Sequence, residues 1–177
     1  MPTAIEIAQQ IVDANLREHP PGSNRGPLID RMLRSAGVEP GNPWCAAFVS
    51  WCFRQATGAK PAFNSAGSLT IRNWFNKEGR FSIDPQDLLG WRGALFGWTN
   101  PDCIHGHIGL VRARFTAEGK VVAIGTLEGN TNPGGSRNGD GAYALRRGVP
   151  IDGENRLWFL NTTGLPGGDG WNPRDLF

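Results

Sequence analysis

The residues whose types and spacing could do chemistry begin with Cys45, in the stretch Asn42-Pro43-Trp44-Cys45-Ala46-Ala47-Phe48-Val49-Ser50-Trp51-Cys52-Phe53-Arg54-Gln55. This reads as the opening of a helix: Asn42 is a preferred N-cap and Pro43 suits the first helical position, which sets Cys45 third. N–H groups without intrahelical partners point out of that end, and with the macrodipole they favour negative charge, which suits a thiolate nucleophile. The plainer reading is a core cysteine, because free Cys is among the most buried residue types. Cys52 supplies the contrast: two turns further along the helix, where the dipole offers nothing, it reads as core.

A nucleophilic thiol needs a base, and a hairpin offers one. If residues 114–119 make the turn between strands at 107–113 and 120–127, antiparallel partners sum to about 235 in residue number. His107 then lies across from Glu128 or its immediate neighbours. A carboxylate in reach of one ring nitrogen orients the imidazole and supports its protonated form, while the other nitrogen can take the thiol proton. His105, two residues earlier, shares that strand face and competes for the role, but falls opposite Asn130. Taken separately, a strand histidine and a loop carboxylate are each ordinary structural residues. Their adjacency, together with a cysteine at a helix start, is what suggests nucleophile, base and orienter.

The elements that must hold these residues follow from periodicity. Thr3-Ala4-Ile5-Glu6 has capping-box spacing, and Ile5, Ala8, Ile11, Val12 and Leu16 recur at helical intervals to about Glu18. A short helix should run from Pro27 to Gly37, the Cys45 helix to Gly58, and a fourth from about Ser68 to Lys77. Short strands are expected at 91–98, 107–113, 120–127, 142–147 and 157–160, joined by Gly-containing turns. Helices first and strands second is the α+β pattern, an antiparallel sheet packed on a helical layer.

Composition narrows the function classes. The chain has 177 residues, 39% of them hydrophobic, which suits one well-formed core and a single domain. A net charge of +2 with scattered Lys and Arg argues against nucleic acid as a partner. No apolar run approaches the roughly 18 residues of a membrane span, and the N-terminus lacks a signal-peptide core. The expectation is synthesis in the cytoplasm and, for action outside, release by another route. Three cysteines give no disulfide framework. The spacing Cys103-x-His105-x-His107 prompts a zinc check, but a structural site wants a fourth ligand, and the remaining histidine, His19, is distant in sequence.

Three segments together resemble one family. Asn42-Pro43-Trp44-Cys45-Ala46-Ala47-Phe48-Val49-Ser50-Trp51, Gly106-His107-Ile108-Gly109-Leu110-Val111 and Leu127-Glu128-Gly129-Asn130-Thr131 are similar to the motifs of the CHAP family, cysteine- and histidine-dependent amidohydrolases/peptidases of the papain-like NlpC/P60 superfamily. The likeness runs from about residue 24 to about 147, with the motifs in the family's order. It implies a papain-like α+β fold and cleavage of amide bonds in peptidoglycan, as in phage endolysins, tail-associated lysins and bacterial wall hydrolases. Carried over by residue, Cys45 matches the nucleophile, His107 the base, Glu128 its orienter, and Asn130 the polar residue that completes the site. No cofactor or metal is expected: some phage members bind calcium through an Asp-rich loop ahead of the cysteine, and Gly37-Val38-Glu39-Pro40-Gly41 lacks those aspartates.

The implied substrate is peptidoglycan, hydrolysed by a monomer as an N-acetylmuramoyl-L-alanine amidase or an endopeptidase. A secreted antibacterial effector with an immunity protein, a virion protein that keeps the fold without turnover, and an amidase for small conjugates are the alternatives. Two further features stay open at this level. Residues 131–141 form a Gly- and Asn-rich loop longer than a hairpin needs, in which Arg137 either meets a substrate carboxylate or is exposed without a specific contact. Trp44 either lines a cleft or anchors its helix. The catalytic core should cover about 24–160, and the Gly-rich end, about 163–177, is expected to be flexible.

Overall fold

A computed structural model describes residues 1–149 and 156–168. Helix α1 (Ala4–Asp13) starts with the expected capping box, Thr3 and Glu6 satisfying each other's backbone N–H groups. It stops five residues short of Glu18. Asn15 takes a left-handed φ of 56°, and the backbone beyond it finds partners at the sheet instead: Ala142 donates to the Leu16 carbonyl at 3.1 Å and Glu18 to that of Asp140 at 2.7 Å. Helix α2 (Pro27–Ser35) follows, then α3 (Cys45–Thr57), closed by Gly58 at φ 70°, and α4 (Ser68–Lys77).

From there the chain is β-structure: β1 (Phe81–Ser82), a 3-10 turn (Pro85–Leu89), β2 (Ala94–Thr99), β3 (Gly106–Ala117), β4 (Lys120–Thr131), β5 (Gly141–Gly148) and β6 (Arg156–Asn161). They form one sheet in the order β1-β6-β2-β3-β4-β5, antiparallel throughout. The architecture is therefore α+β, as the succession of helices and then strands indicated.

Both faces of the sheet are covered, which is why β2 is buried at every position. One face presents Leu95, Ile108, Leu110, Leu127 and Leu160 to the helices, chiefly to Phe48, Val49 and Cys52 of α3. The other carries Phe96, Trp98, Val111, Ile124 and Phe159 under Leu88 of the 3-10 turn. Each such fully buried side chain contributes about 1.5–3 kcal/mol relative to exposure. Helix α3 packs tightly on the sheet at Gly129 of β4, where a Cβ would come within 2.7 Å of both Phe48 and Trp44. The missing side chain there lets the Cys45 helix rest on the strand that bears Glu128.

Near the C-terminus, residues 163–168 are tied down: Ala4 donates to the Gly167 carbonyl at 3.0 Å and Thr162 to that of Gly168 at 2.9 Å. Residues 169–177, the remainder of the end expected to be flexible, lie outside the described residues. Among the described residues no helix is long and apolar enough to cross a membrane.

Candidate active site

Cys45 is the first residue of α3, two positions earlier in the helix than its sequence indicated. Asn42 does not cap: its amide donates to the Glu39 carbonyl at 2.8 Å, closing a turn ahead of the helix, and Trp44 takes the N-cap place with φ −122° and ψ 12°. The first intrahelical bond runs from Phe48 N–H to the Trp44 carbonyl at 2.8 Å. No side chain caps this end, so first-turn N–H groups remain free to face negative charge beside the thiol. Trp44 is an anchor: it is fully buried, and its indole N–H donates to Glu18 at 2.9 Å, a carboxylate that also accepts the Asn24 N–H at 3.0 Å.

The β3–β4 hairpin turns more tightly than expected. Glu118 and Gly119, both at positive φ, form a two-residue turn, and the pairs Leu110↔Leu127 and Val111↔Thr126 displace the expected register by two residues. Irregularities between Val111 and Ala113 and between Phe115 and Thr116 offset each other, so at the site end the displacement is even and side chains keep their face of the sheet, whereas a single step would have reversed them. Glu128 therefore lies over Gly109, where a Cβ would come 2.7 Å from its Cγ, and reaches His107 diagonally. His107 Nε2 donates to Glu128 Oε2 at 2.8 Å, and both side chains are wholly buried. The imidazole also rests against Trp98, its cross-strand partner, with ring centroids 4.7 Å apart. Its Nδ1 is buried without a conventional hydrogen-bond partner, and this leaves it as the nitrogen available to the Cys45 thiol.

A residue that sequence reasoning missed completes the carboxylate's surroundings. Arg147 of β5 grips Glu128 in a bidentate pair, Nε to Oε1 at 2.7 Å and Nη2 to Oε2 at 2.6 Å, while the Thr126 hydroxyl donates to Oε1. The guanidinium stacks 4.8 Å from the Trp98 ring centroid and also donates to the Gly135 carbonyl at 3.1 Å. The available signal was the β4–β5 hairpin, but its long loop made the register unreadable. Burial alone would raise the Glu128 carboxyl, yet Arg147 and His107 outweigh it and hold the group well below its ordinary range. Burial likewise works against charge on His107, but the neighbouring Cys45 thiol and the Glu128 carboxylate outweigh that and raise it well above an ordinary imidazole. The arrangement is a thiol, an imidazole favoured in its charged form, and an ionised carboxylate locked by an arginine.

Asn130 sits at the bulge where β4 leaves its pairing with β5, at φ 57°, and its amide is buried with neither polar atom hydrogen-bonded. His105, the competing base, lies outside the strand, exposed, with Nδ1 on Asp102. Cys103 is exposed, and among the described residues no group of three or more His, Cys, Asp or Glu side chains is placed to hold a metal ion. Cys52 is buried in the core, where desolvation pushes its thiol up despite an opposing backbone hydrogen bond. Cys45 opens onto a groove of about 240 Å³ whose walls include Gly67 to Thr70, His105 and Arg137. Comparison of the chain with family models, with curated proteins and with solved structures finds no match.

Proposed function

We propose that this protein is a cysteine-dependent hydrolase that cuts an amide bond of the peptidoglycan wall peptide, as an N-acetylmuramoyl-L-alanine amidase or an endopeptidase with a papain-like arrangement. The observation that carries the reaction type is the arrangement from helix start to arginine: Cys45 opens α3, His107 keeps a buried Nδ1 unpaired, and its other nitrogen is bound by a buried Glu128 that Arg147 grips. The choice of wall peptide as substrate rests on the resemblance of the three motifs around Cys45, His107 and Glu128.

In this mechanism His107 takes the Cys45 proton at Nδ1, and the thiolate attacks the amide carbonyl carbon. The C–O π pair moves onto oxygen, and the oxyanion is held by free N–H groups at the start of α3, that of Cys45 first. The imidazolium then protonates the leaving nitrogen as the C–N bond breaks, which leaves a thioester on Cys45. Water, giving a proton to the same ring, attacks the thioester, and the thiolate departs and is reprotonated. Glu128 keeps Nε2 protonated throughout, so the tautomer that presents a basic Nδ1 to the thiol is the one maintained.

The test is digestion of purified peptidoglycan from several bacterial classes by the native protein and by Cys45→Ala, with soluble products identified by mass spectrometry. New termini that appear only with the native protein are expected, and their chemistry names the bond. Absence of release from every wall, or release undiminished in Cys45→Ala, would overturn the reading.

A further inference from the structure

We propose that Arg137 is the carboxylate receptor of the Cys45 groove, so that the preferred substrates carry a free carboxylate within reach of the bond being cut. This rests on the hydrolase reading above and names the chemistry of what that site accepts.

The first observation is position. Arg137 and Cys45 line the same groove, which at about 240 Å³ is large enough for a short stretch of peptide and little more. A group held by Arg137 is thereby held near the nucleophile.

The second is the state of the guanidinium. Arg137 is partly buried, yet among the described residues it has no ion-pair or hydrogen-bond partner. Several other arginines are engaged: Arg147 with Glu128, Arg25 with Asp30, Arg112 with Gln9, Arg80 with the carbonyls of Asn161 and Thr163. Asp102, which bonds the groove-lining His105, is already taken by that ring and by the N–H groups of Ile104 and His105. None of the groove-lining residues is a carboxylate. A half-desolvated guanidinium beside a nucleophile and without an internal anion favours a planar anion from outside, and a carboxylate fits its fork with two parallel hydrogen bonds.

The third is preorganisation. The loop that carries Arg137 is cross-tied: Thr131 Oγ1 donates to the Ser136 carbonyl, Ser136 N–H to Asn132 Oδ1 at 3.2 Å, and Gly139 N–H to the Asn130 carbonyl at 3.1 Å. Arg147, while gripping Glu128, also holds the Gly135 carbonyl of this loop. The receptor and the orienter of the base thus share one support, and little ordering remains to oppose binding.

The test separates binding from turnover. Soluble wall peptides are prepared in matched sets in which each carboxylate in turn is converted to a carboxamide, and affinities are measured on the Cys45→Ala protein. Amidation of one carboxylate should weaken binding by about tenfold or more, the value expected for losing a charge-assisted pair. Adding Arg137→Gln should abolish that difference while leaving affinity for the amidated peptide within about twofold, and Arg137→Lys should keep part of it. The same preference should appear in kcat/KM of the native protein. The inference is overturned if no single amidation matters, if the preference survives Arg137→Gln, or if no peptide binds. An Arg137-dependent preference in binding without any cleavage by the native protein would retain the receptor and refute the hydrolase, whereas cleavage without the preference would do the reverse.

Discussion

Arg147→Met tests whether the arginine holds Glu128 ionised and in place. The substitution keeps an apolar stem against Trp98 and removes two charge-assisted hydrogen bonds, of 2.7 and 2.6 Å, from a carboxylate with 0% side-chain exposure. Glu128 would retain only the Thr126 hydroxyl and His107. Removing one partner of a buried pair costs about 3–5 kcal/mol, because the remaining charge is uncompensated. The Arg147 side chain is 12% exposed, so water can take part of its place, and the lower end, about 3 kcal/mol, is expected. For a chain of this size that corresponds to a drop in Tm of about 6–12 °C.

The assay is urea unfolding of both proteins across pH. In the native protein burial tends to raise the Glu128 carboxyl, but Arg147 and His107 outweigh it and bring it from 4.5 down to about 2. A depressed carboxyl contributes stability that is present above its unfolded value and lost as pH falls through the folded one. Without Arg147 the carboxyl protonates at higher pH and sheds its penalty. The gap between native and variant should therefore be widest near neutrality and narrow as pH falls from about 5 toward 2. Adding Glu128→Gln to the variant removes the stranded charge and should recover at least about 1 kcal/mol. A loss below about 1 kcal/mol at neutral pH, or one that is the same at about pH 7 and pH 3, would refute this account of Arg147.

Two further outcomes follow from the same geometry. Burial opposes charge on His107, but Cys45 and Glu128 raise it from 6.5 to about 9, so its contribution to stability is complete below the unfolded value and lost as pH rises through the folded one. Glu128→Gln takes away one of those supports; the alkaline limb of the hydrolysis profile should move to lower pH and the rate fall by about a hundredfold, as a pH–rate series would read. Gly129→Ala puts a methyl within 2.7 Å of Phe48 and Trp44, which should cost about 1–3 kcal/mol by unfolding and reduce cleavage by displacing α3 from β4, although no site residue is changed.

Much of this was legible along the chain, because it depends on neighbours in sequence. The capping box at Thr3, the span of α4, the mid-helix burial of Cys52 and the succession of helices then strands all follow from local periodicity and end signals. Cys45 at a helix start was equally local, although Asn42 spent its amide on a turn and passed the N-cap to Trp44. The meeting of His107 with Glu128 needed only that a hairpin keep side-chain parity. A register two residues from the expected one still placed both on the same face.

What the tertiary structure decided was everything that depends on contacts between segments whose separation no local rule constrains. The long loop between β4 and β5 hid the register that brings Arg147 onto Glu128, and with it the reason a wholly buried carboxylate can stay ionised. The early end of α1 was set by a competing partner for its backbone in the sheet, an exchange that propensity cannot see. The side of the Asn- and Gly-rich loop that faces Cys45, and therefore the groove that Arg137 enters, exists only once Ser136, Asn132 and Gly135 are tied to β4 and β5. By itself the sequence determined which groups could do acyl-transfer chemistry, since that depends on residue type and local conformation; the fold decided which charges are compensated and which remain open, since that depends on distance.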